Sequence, residues 1–403
     1  MAEVAPIAAP GPTTPAVTPP APARAALAAW LSARDTASAR ARTVLPPTDA
    51  PAGSLEAALR WLRQTHAATG FRGSSKGFHL LHGWLPAYPE TTGYVIGTML
   101  AYAAREGDDG LVAEAVRMGD WEIEVQRPDG GIGEGHVEVG ADRAVVFNTG
   151  MVMHGWVDLF EAGHGDRFLD AAARAGRFLV DTALPDGTWD PSVEYSSMPH
   201  TYNSRVSWAM LRLAELTDDA ELRETAVRQL DWVAARQRDN GWFDSCVFKP
   251  DGVPSTHGIA YTLRGLLESH ALLDEPRYLQ AALATSEVLI RKLEVLGRVP
   301  ANWDADWRPA SAHECVTGNA QLGGVWLRLY QLTSDPRFAN AGLKAVDIAA
   351  RQQYRGPARA IDGAVPGSFP IYGRYAPMQF PNWAAKFLAD SLMLRADVLG
   401  EIA

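Results

Sequence analysis

The stretch at residues 256–270, THGIAYTLRGLLESH, carries one arginine and one glutamate in fifteen residues, and the rest is small, aromatic, apolar or weakly polar. A helix with apolar positions around most of its circumference is buried on most sides. Five further segments share this character: TTGYVIGTMLAYAA from residue 91, NTGMVMHGWVDLFEA from 148, YNSRVSWAMLRLAEL from 202, TGNAQLGGVWLRLYQL from 317 and PNWAAKFLADSLML from 381. Between them lie six charged, amphipathic segments: SLEAALRWLRQTH from 54, LVAEAVRMGDWEIEVQ from 111, DRFLDAAARAGRFLVDTA from 166, AELRETAVRQLDWVAARQR from 220, PRYLQAALATSEVLIRKLE from 276 and DPRFANAGLKAVDIAARQQ from 335. Strand-like alternation is nearly absent. The alternation of nearly charge-free with charged helices predicts an inner ring inside an outer ring.

The spacing supports a repeat. Gly93, Gly150, Ser204, Gly258 and Gly318 recur near the starts of the charge-free segments, 57, 54, 54 and 60 residues apart. The sixth begins at Pro381, and proline favours a helix start. Six inner and six outer helices make an all-α (α/α)6 toroid over residues 54–403. An open helical solenoid is the alternative.

The first 22 residues hold seven prolines, so residues 1–53 read as a disordered Pro/Ala-rich tail with a short helix over about 25–43. Neither a basic n-region nor an apolar h-region opens the chain, and no uncharged run reaches membrane-spanning length. Net charge is −10 over 403 residues, without a basic block. That argues against nucleic acid or a membrane surface as partner, while leaving room for an anionic small substrate on a few arginines. Two cysteines, Cys246 and Cys315, form no disulfide framework and fit a reducing, cytoplasmic compartment.

Inner-to-outer connections such as EGDDG and LTDDA are short, whereas outer-to-inner ones run to roughly twenty residues rich in Gly and aromatics. Long loops are usually functional, and the same face would carry six inner-helix N-termini. The loop side is therefore expected to be the working rim of a central cavity. The tightest cluster there is HTYNSRVSW: Tyr202, His200 and Arg205, with His257 on a neighbouring helix, are the candidate catalytic groups. Histidine or tyrosine could remove a proton beside a carboxylate that Arg205 neutralises. The plainer reading has His200 and Tyr202 packing the helix start and Arg205 paired with a carboxylate such as Glu194.

Candidate substrate-binding groups are Glu90, Tyr94, Asn148, His154, Asn203, Tyr261, Arg264, Glu314, Asn319 and Lys386, with Trp242 and Trp383 as aromatic walls. Amides, charges and rings together suit sugars. Glycoside cleavage would instead need a carboxyl pair. Asp244, Cys246, His257, His313 and Cys315 could supply zinc ligands, but buried, inert cysteines are the better reading, and no metal or cofactor is expected.

The segments VQRPDGGIG and RQRDNGWF loosely resemble the Gln…Gly…Trp repeat of squalene cyclase-like toroids, and Asp-x-Cys with a later histidine is similar to the zinc ligands of protein prenyltransferase β subunits. WDADW, with Asp304 and Asp306, lacks the last aspartate of the cyclase acid motif. The set YPETTGY, FNTG, TYNSRVSW, THGIAYTLRGLLE, CVTGNAQ and PNWAAKF more closely resembles a toroid family encoded in bacterial polysaccharide gene clusters, over roughly residues 88–390. Unsaturated glucuronyl hydrolases, sugar 2-epimerases and many polysaccharide lyases share that fold, so the resemblance implies carbohydrate work by analogy. The expected activity is on an acidic, uronate-containing oligo- or polysaccharide, by proton abstraction (lyase or epimerase) or by glycoside hydrolysis. The alternatives are an isoprenoid cyclase or prenyltransferase-like enzyme and a non-catalytic glycan-binding protein.

Overall fold

The computed structural model describes residues 52–137 and 143–402. Most of the Pro/Ala-rich tail, including the short helix expected over 25–43, lies outside the described residues. In chain order the helices are α1 (Ser54–Ala67), α2 (Pro89–Glu106), α3 (Asp109–Val125), α4 (Val146–Glu161), α5 (Asp166–Asp181), α6 (Ser204–Thr217), α7 (Ala220–Ala234), α8 (Thr256–Leu273), α9 (Pro276–Leu296), α10 (Val316–Thr333), α11 (Pro336–Ala350) and α12 (Asn382–Ile402). Each even-numbered helix packs on the next, and α12 packs on α2, which closes a ring. The odd-numbered helices pack around it. Burial confirms the division into two rings. Thirteen of the sixteen residues of α4 are buried, against seven of the sixteen of α5. Among the described residues no helix is long and apolar enough to cross a membrane.

Close approach of the inner helices explains their glycines. A Cβ on Gly93 of α2 would collide with the Val152 backbone of α4, and one on Gly155 with the Gly93 carbonyl. Those two backbones therefore touch where a side chain would hold them apart.

The two faces differ because their connections are built differently. Four inner helices end on a left-handed residue, Gly107, Asp218, Asp274 or Ser334. The next residue in each case is acidic and caps the following outer helix: Asp108 and Asp219 accept from the backbone N–H three residues on, Glu275 and Asp335 from that two residues on. One C-cap and one N-cap complete a two-residue turn. The returns to the inner ring are long: residues 68–88, 126–145, 182–203, 235–255, 297–315 and 351–381. Short strands bind these loops to one another. β1 (Gly77–His79) pairs antiparallel with β2 (Gly83–Trp84) and, on its other edge, with β5 (Gln379–Pro381) near the far end of the chain. β3 (Glu314–Cys315) pairs with β4 (Ser368–Phe369). Asn382, at the start of α12, donates to Ser74 Oγ at 2.9 Å and Thr91 Oγ1 at 2.8 Å, fastening the last inner helix to the first repeat.

Candidate active site

On the loop side, the centre of the ring is packed by side chains that hold one another. His200 is 1% exposed, and its two ring nitrogens lie on the Tyr195 carbonyl at 2.7 Å and the Val247 carbonyl at 2.8 Å. Burial pulls its pKa down, while both carbonyls oppose the shift. Its ring stacks on Tyr202 with centroids 4.5 Å apart, and Phe248 lies 5.2 Å from Tyr202 and 5.9 Å from His257. His257 Nδ1 lies 2.6 Å from Gln321 Oε1. An amide oxygen only accepts, so Nδ1 carries the proton. Burial lowers the His257 pKa to about 3, so the ring is neutral at physiological pH. Tyr375 stands 5.2 Å from His257, and its hydroxyl accepts from Trp383 Nε1 at 2.8 Å.

The remaining loop-side candidates are likewise engaged. Tyr195 donates to Asn148 Oδ1 at 2.6 Å and lies 3.3 Å from Glu90 Oε2. Burial raises the pKa of the Glu90 carboxyl, while the Tyr88 and Tyr195 hydroxyls and Lys76 oppose the shift. Asn203 donates to both oxygens of buried Glu194, whose pKa burial pushes up to about 8. Glu314 accepts from Asn319 at 2.9 Å.

The other half of the ring is open. A cavity of about 450 Å³ runs from Tyr94, His154 and Arg205 towards the C-terminal ends of the inner helices. Exposure of its lining rises in that direction: from Tyr94 at 3% to exposed Ala101 on α2, and from His154 at 4% through half-buried Asp158 to exposed Glu161 on α4. On α6, Arg205 is 5% exposed, whereas Trp208 and Arg212 are half-buried. The mouth is therefore on the short-turn face.

Arg205 is the unusual group in this cavity. Its guanidinium lies over the rings of Tyr261, Trp208 and Phe387 at 5.1, 5.6 and 5.7 Å, and among the described residues it has no ion-pair partner. Its Nε finds no hydrogen-bond acceptor in the protein, and the hydroxyls of Tyr94 and Tyr261 interact with each other but reach no other protein group. The other charges are matched. Arg212 pairs with Asp158 at 2.8 Å, Lys386 with Asp390, which also accepts from Thr98 at 2.7 Å, and Arg264 with Glu268 at 2.8 Å. His154 Nε2 lies 3.0 Å from the Arg205 carbonyl, so that nitrogen carries the proton and Nδ1 keeps its lone pair. Burial first, then the charges of Arg205 and Arg212, hold this imidazole neutral.

The structure thus divides the candidates. Arg205, Tyr94, His154, Arg264 and Lys386 line open space in the ring's centre. His200 does not converge on a ligand with Arg205; it joins two loops by their backbones. Tyr202 and His257 sit in the packed roof. Trp242 is not a sugar wall, because it packs on Trp307 at 5.2 Å and is 6% exposed. The suggested Arg205–Glu194 pair is replaced by Asn203–Glu194. No zinc set is assembled: Cys315 caps α10 through Gly318 N, Cys246 lies against Thr262, and Asp244 is held by Arg238. Among the described residues no three such side chains gather. Asp304 closes a surface turn by accepting from the backbones of Asp306 and Arg308.

Asp158, Trp208, Arg212 and Asp390 line the cavity but are absent from the candidates drawn from sequence. Their signal was spacing. His154–Asp158, Arg205–Trp208–Arg212 and Lys386–Asp390 step by three or four residues, which places each set on one helix face.

No family model matches the sequence, and no curated protein sequence matches it. Solved structures do match. Cellobiose 2-epimerase from Spirochaeta thermophila superposes with a TM-score of 0.69 at 14% identity, covering 88% of this chain and 96% of that one. Unsaturated glucuronyl hydrolase from Bacillus sp. GL1 gives 0.67 at 16% identity, covering 86% and 97%. A heparin-specific unsaturated glucuronyl hydrolase gives 0.67 at 13% identity, covering 86% and 97%. The shared fold is the (α/α)6 toroid.

Proposed function

We propose that the protein is a carbohydrate-active enzyme that takes an acidic, uronate-type sugar residue into the centre of its toroid. The observation that carries this reading is Arg205, a buried guanidinium with aromatic faces and no counter-ion, beside two tyrosine hydroxyls that reach no group of the protein except each other. Leaving such groups unmatched is costly, and a carboxylate with ring hydroxyls satisfies them together. A cavity of about 450 Å³ falls within the usual range for small-ligand sites. The similar solved structures, a 2-epimerase and glucuronyl hydrolases, are named for work on sugars, and this supports the class.

The chemistry that fits best is proton removal from the carbon beside the carboxylate. Arg205 neutralises the carboxylate and the charge that develops on it, the His154 Nδ1 lone pair receives the proton, and the Tyr94 hydroxyl serves as partner on the opposite wall. Arg205 also depresses the basicity of His154, so an anion bound on Arg205 offsets that effect and makes His154 a better base when substrate is present. One observation favours hydrolysis as a second reading: two carboxyls, Asp158 and Asp390, line the cavity from different inner helices. The buried cysteines suit a reducing compartment, and we place the activity in the cytoplasm.

The deciding assay offers the protein a panel of uronate-containing oligosaccharides. It follows ultraviolet absorbance, reducing ends and deuterium uptake from solvent. Absorbance or deuterium uptake is the expected result, for elimination or epimerisation respectively. Reducing ends without either would establish the hydrolytic reading. Silence in all three would sink the enzyme proposal.

A further inference from the structure

Beside the main cavity lies a smaller one of about 60 Å³, and the two differ in charge. The main cavity is lined by Arg205, Arg212 and Lys386 against Asp158, Glu161 and Asp390, three cations to three carboxylates. The small cavity is lined by Arg205, Arg264 and Lys386 against Asp390 alone. Glu268, which pairs with Arg264, is shared with Arg328, so it does not restore the balance. The three cations sit close enough to disfavour one another's charge: Arg264 weighs on Arg205, and both weigh on Lys386. Two of them are more than nine-tenths buried, Arg205 at 5% and Lys386 at 6% exposure. Space beside them comes from two small residues, Ala260 on the same helix as Arg264 and Gly324 of α10.

We infer that this small cavity is an oxyanion subsite, which seats the carboxylate or sulfate ester of an acidic sugar while the ring occupies the charge-balanced main cavity. The sugar enters from the short-turn face. The inference rests on the proposed saccharide reading for the identity of the ligand and adds where its charge sits and which way it comes in. A compact group suits the volume, and gathered cations of matched sign are favourable only with an anion between them. Entry from the short-turn face follows from the lining, which grows more exposed towards Ala101 and Glu161, while Tyr202, Tyr261 and His257 close the opposite end.

The test is calorimetric and kinetic binding of sodium glucuronate, glucose 6-sulfate and glucose to the full-length protein. At least one of the two anionic sugars is expected to bind about tenfold or more tighter than glucose, and the comparison of the two tells which oxyanion the subsite takes. Arg264→Met is expected to remove most of that preference, and the fold tolerates the change because Glu268 keeps Arg328 as partner. Ala260→Val, which narrows the cavity without removing a charge, gives the same outcome by a second route should Arg264→Met fold poorly. Ala101→Trp, at the mouth, is expected to slow association about tenfold. Equal affinity for all three sugars, or an anion preference that survives both subsite variants, would overturn the subsite. Unchanged association in Ala101→Trp would overturn the entry route. Anion binding without turnover on any oligosaccharide would leave the subsite standing and remove the enzyme reading, whereas turnover without anion preference would do the reverse.

Discussion

The same six inner helices build two unlike halves along one axis. On the loop side, His200, Asn148, Asn203, Asn319 and Glu314 are engaged with neighbours, and the aromatic rings of three loops close over them. On the short-turn side, Arg205 has no counter-ion, the Tyr94 hydroxyl meets only that of Tyr261, and a cavity reaches solvent. Polar residues are abundant in both halves, and single atoms such as the Tyr202 hydroxyl are unpartnered on the loop side too. What separates them is an unpaired cation beside open volume, because that combination has something to offer an anionic ligand.

If that division is right, substitutions in the two halves have opposite signatures. The largest effect is expected from Arg205→Met. It should reduce kcat/KM on an acidic saccharide at least about a hundredfold, in line with losing a buried charge-assisted contact. The melting temperature should hold or rise, because a buried charge without counter-ion is replaced by a chain of similar volume. A large fall in stability with activity retained would reverse the assignment of the halves.

His200→Ala should show the opposite signature. Two carbonyls lose their partner and Tyr202 loses a stacked ring, so urea denaturation should reveal a loss of about 2–4 kcal/mol. The KM of the folded fraction should stay within about threefold of the parent.

Glu194 sharpens the contrast through pH. Its folded pKa of about 8 stands above the ordinary 4.5, so the fold holds a proton that the unfolded chain releases between those values. The resulting stability is full below about 4.5, falls as pH rises through 8, and is gone above it. Glu194→Gln should therefore stabilise the protein relative to its parent at pH 9 by on the order of 5 kcal/mol. At pH 4 the two should be nearly equal. A parent whose stability rises from pH 5 to 8 while the variant's does not would contradict a protonated Glu194.

The smallest effect is expected from Trp242→Phe. With its ring packed on Trp307, the variant should lose about 1 kcal/mol and show no change in KM. A weakened KM would return Trp242 to the list of sugar contacts.

The architecture was legible because it follows from patterns within single helices. Nearly charge-free and charged segments alternate, a glycine or serine recurs at intervals of 54–60 residues, and the inner-to-outer turns are short. Arg205, Tyr94, His154 and Lys386 were also legible as polar residues in otherwise apolar helices. What the loop side holds was not legible, for a physical reason. Length and aromatic content show that a loop has material to spare, but they do not show whether its rings fold outwards as walls or inwards as a lid. Tyr195, Phe248 and Tyr375 fold inwards.

The sequence by itself thus determined the toroid, its two rings and the presence of charge on inner helices, since burial periodicity and capping are local properties of the chain. Only the tertiary structure decided which charges are matched and which face is open. Pairings such as Asn203 with Glu194, Arg212 with Asp158 and His257 with Gln321 join residues that spacing alone does not relate across helices and loops. Whether a buried cation finds a counter-ion depends on the distance between two such elements, and that distance is set by the closing of the ring.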